Sequence, residues 1–321
     1  MGVCENRRKA LKNWLLRALG LAVFCFIAQG VGAARSENAG GGMLRVCLNE
    51  NLLPYSVRRG DGGTGFDLMI AESVAKRMGR PLVVQWFGTK LDTDSRSAIE
   101  ANALLSDGRC DLLGGYPLIK DALGSPGPQS GRLPDFAGAK ASDRRRQVKL
   151  GTLAATRPYH FAPLTVVLGA KAASRRISSL ADLDGVNIGV EMGTLGDAIL
   201  MSYDHGRFVS NIKHVVPGRG ELLPRLESGD YDAALIALHR FDAYRIDHPD
   251  TKLQPSGYYF PIGFNMGFVG LTNEASLIER TNAALDDMLK DGEPASLAAT
   301  AHMTYVPPRQ PYVVEGISIS D

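Results

Sequence analysis

A chain of 321 residues, of which 45% are hydrophobic and 22% charged, has the composition of an ordinary globular protein and is long enough for two domains. Its 36 basic residues nearly balance its 34 acidic ones, so it lacks the broad positive charge of a nucleic-acid-binding protein. The six histidines and four cysteines show no H-x-x-x-H or C-x-x-C spacing, which gives no support to a metal site.

Residues 1–33 have the three parts of a secretory signal peptide. Five basic residues precede an apolar stretch over 18–28, and small residues ending at Ala33 offer a cleavage site. A membrane anchor is the alternative, but the apolar stretch is short for a bilayer. We therefore expect a periplasmic protein whose mature chain is not inserted in a membrane. Residues 34–43 then form a flexible leader.

Cleavage would remove two of the four cysteines and leave Cys47 and Cys110. A nucleophilic thiol, a metal ligand and a buried free thiol are the alternatives to a disulfide. An even number of cysteines in an exported chain favours the disulfide. This pairing requires that the fold bring the two residues close together.

From Leu44 onward the sequence alternates between strand and helix patterns. The order β-α-β-α-β predicts parallel strands joined by helical crossovers, with the first and third strands able to lie side by side. That arrangement would bring the two remaining cysteines together. We interpret Asp67, in the first helical turn, as an electrostatic cap. The predicted strands are 44–48, 81–87 and 110–115, and the predicted helices are 66–79 and 96–108.

Residues 118–142 interrupt this alternation. Glycine, proline and serine dominate the segment, which predicts a long exposed surface loop. The basic run at 144–146 that follows is typical of a solvated loop or of the start of a helix.

A second unit with the same alternation follows an extended run at 157–171, and another extended run at 258–271 returns the chain. Two such units with two crossings predict an α/β protein with two parallel-sheet lobes and a double hinge. Lobe 1 would hold 44–160 plus 262–321, and lobe 2 would hold 161–261. The cleft would face the carboxyl ends of the strands, where ligands bind in such sheets. The second unit has strands at 186–191, 211–217 and 231–238, with helices from 193 and over 221–230, and the chain closes with a helix over 276–292, a shorter helix and a proline-rich tail.

Three phrases in this order resemble the family 3 periplasmic solute-binding proteins, whose type II fold serves ABC importers. They are G-F-D at 65–67, S-L-A-D-L-D-G-V-N-I-G-V-E-M-G-T at 179–194 and L-E-S-G-D-Y-D-A-A-L at 226–235. The resemblance covers most of the mature chain.

A narrower resemblance is to the MxaJ/XoxJ type, the periplasmic partners of PQQ-dependent methanol and alcohol dehydrogenases. That group is similar to this chain in carrying one cysteine in the first strand and another in the strand after the second helix. The segment 118–142 departs from the group. The resemblance rests on LRVCLNENLLPYS at 44–56, GRCD at 108–111 and TRPYH at 156–160.

The wider resemblance implies a ligand site, and this chain departs from it. Amino-acid binders of this fold carry small hydroxyl residues after the third strand, an arginine for the ligand carboxylate and an aspartate in lobe 2 for the ammonium group. The hydroxyl positions fall here on Gly115, Tyr116 and Leu118, the arginine on Arg145 and the aspartate on Ala237. A buried ammonium group without a carboxylate is costly. We therefore expect that this chain lacks the binding site for α-amino acids.

Each candidate ligand residue also has a structural interpretation. Tyr55 and Tyr116 can stack on a ligand or plug an empty cleft. Arg145 can bind an anion or belong to a solvated charged run. Gly193 and Thr194 open a helix whose free N–H groups suit an anion, although Thr194 can equally act as the helix cap.

Three classes of function fit these patterns: a solute-binding protein, an interaction protein on the same fold, and an enzyme. The sequence shows no paired carboxylates, triad or metal cluster, so we expect neither catalysis nor a cofactor. We predict a solute-binding-protein-like partner of a PQQ-dependent alcohol or methanol dehydrogenase, with a cleft not built for standard amino acids. The alternative is an ABC-importer binding protein for a small polar or anionic solute, with a permease as partner.

Overall fold

The structure, a computed structural model, describes residues 42–88, 97–123 and 130–316. The signal peptide predicted at 1–33 and nearly all of the leader lie outside the described residues. Among the described helices, none combines the length and apolar character needed to span a bilayer.

The strands and helices follow the predicted alternation, with additional short strands. The strands are β1 (Leu44–Asn49), β2 (Asn51–Leu52), β3 (Ser56–Arg59), β4 (Gly62–Thr64), β5 (Leu82–Gly88), β6 (Leu112–Pro117), β7 (Ser130–Arg132), β8 (Asp135–Phe136), β9 (Gln147–Lys149), β10 (Leu153–Leu168), β11 (Ile188–Glu191), β12 (Ile212–Val215), β13 (Ala233–Ala237) and β14 (Gln254–Leu271). The helices are α1 (Phe66–Arg77), α2 (Ser97–Ser106), α3 (Lys120–Leu123), α4 (Leu195–Ser202), α5 (Leu222–Glu227), α6 (Leu238–Asp247), α7 (Ala275–Asp291) and α8 (Glu293–Thr300).

Nine of these strands form one mixed sheet in the order β12-β11-β13-β10-β14-β6-β1-β5-β8. Within lobe 1, β1 lies parallel between β5 and β6, and within lobe 2, β11 lies parallel between β12 and β13. The long strands β10 and β14 cross between the lobes, antiparallel to each other and to the strands beside them. The predicted two-lobed α/β fold with a double hinge is therefore confirmed. The exact lobe limits, which fall inside the crossing strands, stay a prediction.

Side chains from both faces of the sheet in lobe 1 are buried. Alternate residues of β1 point to opposite faces: Leu44, Val46 and Leu48 pack with α1 and α7, whereas Cys47 packs with α2. Lobe 2 repeats the arrangement, since β11 packs against α4 on one face, and β13 contributes to the clusters on both faces. The carboxyl ends of the strands are thereby left as the place where a ligand can enter.

A disulfide joins Cys47 to Cys110, with their Cα atoms 5.6 Å apart. The pairing predicted from the cysteine count is therefore present in the structure. The third strand begins only at Leu112. Cys110 therefore lies just before this strand, whereas the sequence predicted it within the strand. The bridge closes a loop across the predicted β-α-β-α-β unit of lobe 1.

The prediction that residues 118–142 form an exposed loop is wrong for much of the described parts, 118–123 and 130–137, whereas Gly138 and residues 140–142 are exposed as predicted. Four apolar side chains of this segment are at most 8% exposed and pack beneath α2: Leu118, Leu123, Leu133 and Phe136. The short strands β7 and β8 pair with β9 and β5, respectively. The segment therefore completes the core of lobe 1 despite its loop-like composition. Residues 124–129 lie outside the described residues.

Candidate functional site

A cavity of about 150 Å³ lies at the carboxyl ends of β11 and β13, against the two crossing strands. Its wall is mainly apolar. Among the described residues that line it, those with polar or charged side chains are Glu191, Thr194, His239 and Arg240. The apolar part of the wall consists of Ala162, Pro163, Leu164, Leu195, Gly196, Leu222, Leu235, Ile236, Ala237 and Phe264.

The two charged residues of the wall neutralise each other. Glu191 ends β11 and is only 3% exposed, and Arg240 lies in the first turn of α6. Both guanidinium Nη atoms of Arg240 donate to the carboxylate of Glu191, one of them at 2.9 Å. Such a bidentate pair satisfies the Glu191 carboxylate, which would be costly to bury alone, while the Arg240 side chain remains 42% exposed. Neither residue therefore offers a free charge to a ligand.

The start of α4 is bonded within the chain. Thr194 caps the helix by accepting the N–H of Asp197 at 3.3 Å, and the N–H of Gly193 donates to the Asp197 carboxylate at 2.7 Å. His214 Nε2 lies 2.7 Å from the other oxygen of that carboxylate. The N–H of Gly193, predicted to face an anionic ligand, is thus already bonded to a carboxylate of this chain. Thr194 still lines the cavity, and its role as a ligand residue stays a prediction.

Tyr55 fills the space beside the hinge. Its ring centroid lies 5.1 Å from that of His160 on β10 and 5.0 Å from that of His239 on α6. These three rings line a second, smaller cavity, which shares Ala162, Pro163 and His239 with the first. Through Tyr55, lobe 1 therefore contacts the first turn of a lobe 2 helix. Any ligand contact that Tyr55 makes would be at this junction.

Both imidazoles at this junction are neutral near pH 7. Burial lowers the pKa of His160 to about 3 and the pKa of His239 to about 4. Among the described residues, neither His160 Nε2 nor His239 Nδ1 finds a hydrogen-bond partner, although both atoms are buried. The junction thus combines aromatic surface with two unused hydrogen-bonding atoms.

On the lobe 1 side, Asp67 is more than the helix cap that the sequence suggests. Its carboxyl group is 1% exposed and accepts the hydroxyl of Tyr159 at 2.8 Å, while that hydroxyl accepts the N–H of Gly115 at 2.7 Å. Burial raises the pKa of Asp67 to about 7. A side chain at position 115 would collide with the Asp67 carboxyl group. The absence of a hydroxyl side chain at position 115 is therefore explained by this network.

Two predicted ligand residues lie away from both cavities. Tyr116 is buried in the lobe 1 core with its hydroxyl donating to the carbonyl of Ala122. Arg145 is exposed on a short 3-10 helix, whose neighbouring arginines pair with Asp107 and Asp135. The structure thus brings Thr194 to the cavity and Tyr55 to its neighbour, but places Tyr116 and Arg145 elsewhere.

Glu191, His239 and Arg240 were not predicted from the sequence. A usable signal existed, because Glu191 ends one predicted strand and His239-Arg240 directly follow another, and carboxyl ends of parallel strands are where ligands bind. Ala237, where the resemblance places an aspartate, does line the cavity. Across the described residues, no group of three or more His, Cys, Asp or Glu residues is arranged to hold a metal ion.

Comparison with known proteins supports the fold. No family model matches the chain. The arginine-binding extracellular protein ArtP of Bacillus subtilis (strain 168) is 24% identical over 294 residues, covering 88% of this chain and 95% of that protein. The comparison thus extends over nearly the whole of both chains.

Two solved structures show the same two-lobed architecture. The L-cystine solute receptor of Neisseria gonorrhoeae, in its unliganded open conformation, has a TM-score of 0.57 at 18% identity, covering 84% of this chain and 96% of that one. Substrate binding domain 2 of Lactococcus lactis GlnP has a TM-score of 0.56 at 17% identity, covering 81% and 94%. The chain therefore has the fold of periplasmic solute-binding proteins. These relatives are binding proteins rather than enzymes, as expected for this chain, and they give no support to the MxaJ/XoxJ resemblance.

Proposed function

We propose that this chain is a periplasmic solute-binding protein that delivers a small molecule to an ABC importer. The observation that supports this most is the position of the 150 Å³ cavity, at the carboxyl ends of the lobe 2 strands and against both crossing strands. A ligand held there is within reach of the hinge. Its binding energy can therefore favour one relative orientation of the two lobes over another.

The pairing of the two crossing strands is irregular at defined places. The pairing of β10 with β14 shifts register between Ala155 and His160 and again between Pro163 and Val167. Gly263 lies opposite Pro163, and a side chain there would collide with the backbone and ring of the neighbouring strand. These irregularities divide the long ribbon into segments, which is the kind of place where a hinge absorbs rotation.

The chemistry of the cavity argues against a standard amino acid as the solute. Two of the relatives are named for the ligands arginine and L-cystine, respectively. In this chain, however, Ala237 offers no carboxylate to an ammonium group, and Arg240 is occupied by Glu191. We therefore propose an importer protein whose solute differs from those of the named relatives.

The test is a screen of defined small solutes, including amino acids, organic acids, amides and alcohols, by thermal melting. A solute at a hundred times its Kd stabilises the native state by about 2.7 kcal/mol, which is a readily measured shift. Small-angle X-ray scattering with the same solute should show a smaller radius of gyration, because the lobes close. A screen without a single melting shift, together with an unchanged radius of gyration, would contradict the proposal.

A second candidate function is the partner role in a quinoprotein alcohol dehydrogenase system. One observation favours it: the disulfide between Cys47 and Cys110 joins the positions at which the MxaJ/XoxJ type carries its cysteines. The genes beside the coding gene separate the two candidates. Permease and ATPase genes would support import, whereas genes for a PQQ-dependent dehydrogenase and a cytochrome c would support the partner role.

A further inference from the structure

We infer that the solute of this cavity is a small, uncharged and mainly apolar molecule that presents one hydrogen-bonding group to His239. This inference rests on the proposed function, since it specifies the chemical class of the solute at the same site. Three independent features of the cavity lead to it: its size and apolar wall, the neutralisation of its charges, and an unused hydrogen-bonding atom.

The size and wall set the first limit. A cavity of about 150 Å³ accommodates a molecule of about the size of benzene. Leu164, Leu195, Leu222, Leu235 and Phe264 supply much of the wall. Contact with such side chains favours a solute that removes its own apolar surface from water.

The charges set the second limit. The Glu191 carboxylate is held by Arg240, and the Asp197 carboxylate occupies the N–H of Gly193 and faces His214. An anionic solute would have to displace Asp197 or Glu191 from these partners, and a cationic solute would compete with Arg240. Burial of an ionised group without a partner is costly, so the cavity selects against both kinds of ion.

The third feature identifies where the solute has its polar group. His239 lines both cavities, and its Nδ1 is buried without a hydrogen-bond partner among the described residues. A neutral imidazole can donate from one nitrogen and accept at the other. A hydroxyl or carbonyl group of the solute would satisfy this atom, which otherwise lowers the stability of the folded protein.

The experiment uses probes that share one ring and differ in charge: benzyl alcohol, benzoate and benzylammonium, with toluene as the apolar reference. Binding to the purified protein is measured by saturation-transfer NMR and by thermal melting. Benzyl alcohol should bind at least about tenfold more tightly than either ion, since only the ions must be buried without a counter-charge.

Variants then locate the site. Ala237→Phe fills the cavity and should weaken benzyl alcohol binding at least about tenfold, whereas Ala299→Phe adds the same ring at an exposed position of α8 and should leave it unchanged. If Ala237→Phe does not fold, Leu195→Trp tests the same point. His239→Phe keeps an aromatic ring, so it should weaken benzyl alcohol by roughly tenfold and leave toluene unaffected.

The outcomes are decisive for the inference and distinct from those for the proposed function. Tighter binding of benzoate or benzylammonium would overturn the inference but leave a solute-binding protein. Benzyl alcohol binding that survives both cavity-filling variants would show that the site lies elsewhere. Absence of binding by all four probes would also overturn it, and the broad solute screen would then decide separately whether the chain binds any solute.

Discussion

The carboxyl ends of the strands differ sharply between the two lobes. In lobe 1 this edge is filled by a closed polar network, in which Gly115, Tyr159 and Asp67 satisfy one another. In lobe 2 the corresponding edge is an open apolar cavity with a paired ion couple at its border. Lobe 1 thus contributes rigidity and the ring of Tyr55, whereas lobe 2 contributes the space in which a solute can lie.

One half of the cleft can therefore hold a closed polar network while the other half holds an open cavity. Buried polar groups that satisfy one another rigidify a region and leave no atom for a ligand. His239 is in the opposite situation, with a buried atom that lacks a partner among the described residues. Changes in lobe 1 should therefore alter stability more than binding, and changes around the cavity should do the reverse.

The largest expected effect is on lobe 1. Replacement of Cys47 and Cys110 by alanine removes a cross-link between residues 63 positions apart, which should lower the free energy of unfolding by about 4 kcal/mol. Urea denaturation measures the loss, and benzyl alcohol should still bind to the folded variant. Titration of the unreduced, denatured protein should find no free thiol, and two free thiols in native preparations would contradict the cross-link.

The polar network gives the next effect. Gly115 has a φ of +67° and no room for a Cβ beside Asp67, so Gly115→Ala should cost about 3 kcal/mol through strain and loss of the network. Gly138→Ala is the matched control, since Gly138 also has a positive φ but open space around it, and it should cost about 1 kcal/mol. Equal losses in the two variants would show that the network does not restrict position 115.

The contributions of Asp67 in lobe 1 and His239 in lobe 2 to the free energy of unfolding should change with pH in opposite directions. The pKa of Asp67 is raised to about 7, so its contribution to stability is present below about pH 4 and is lost as the pH rises through 7. The pKa of His239 is lowered to about 4, so its contribution is present above about pH 6.5 and is lost as the pH falls through 4.

Two variants separate these contributions. Asp67→Asn should reduce the loss between pH 4 and 7, as measured by urea denaturation across this range. His239→Gln should reduce the loss between pH 6.5 and 4, and the remainder is expected from His160, whose pKa is lowered in the same direction to about 3. Parallel stability curves for the wild type and either variant would show that the altered residue is not buried in the charge state assigned to it.

Standard amino acids should have no effect on the melting temperature. A thermal melting screen of the twenty standard amino acids at millimolar concentration should show no shift, because Ala237 provides no carboxylate and Arg240 is engaged by Glu191. Ala237→Asp is the companion variant, since it restores the acidic group that the amino-acid binders of this fold carry. A clear shift of the wild type with any unmodified amino acid would contradict this description of the cavity.

Much of the fold could be predicted from local patterns, whereas the burial of individual side chains could not. Strand β11 and the long crossing strands follow the predicted extended runs. The composition of residues 118–142 is typical of a loop, yet Leu133 and Phe136 are buried because β7 and β8 pair with distant strands. Pairing between segments far apart in sequence leaves little trace in local composition.

The site shows the same limit. Asp67 and Tyr159 are 92 positions apart and meet only through the tertiary fold. Tyr116 follows a strand end, where a ligand contact was reasonable, but the backbone turns its ring into the core. His239 was not predicted either, although its position directly after a predicted strand would have been sufficient to propose it.

A neutral solute should bind in the lobe 2 cavity and not in lobe 1. The decisive measurement is a titration with benzyl alcohol, followed by methyl NMR of protein labelled at leucine and isoleucine. We expect saturable shifts of the methyl signals of four residues that line the cavity, Leu164, Leu195, Leu235 and Ile236. The signals of Leu104 and Leu113 in the lobe 1 core should stay unchanged. Shifts confined to the lobe 1 core, or unchanged cavity signals at saturating benzyl alcohol, would contradict it.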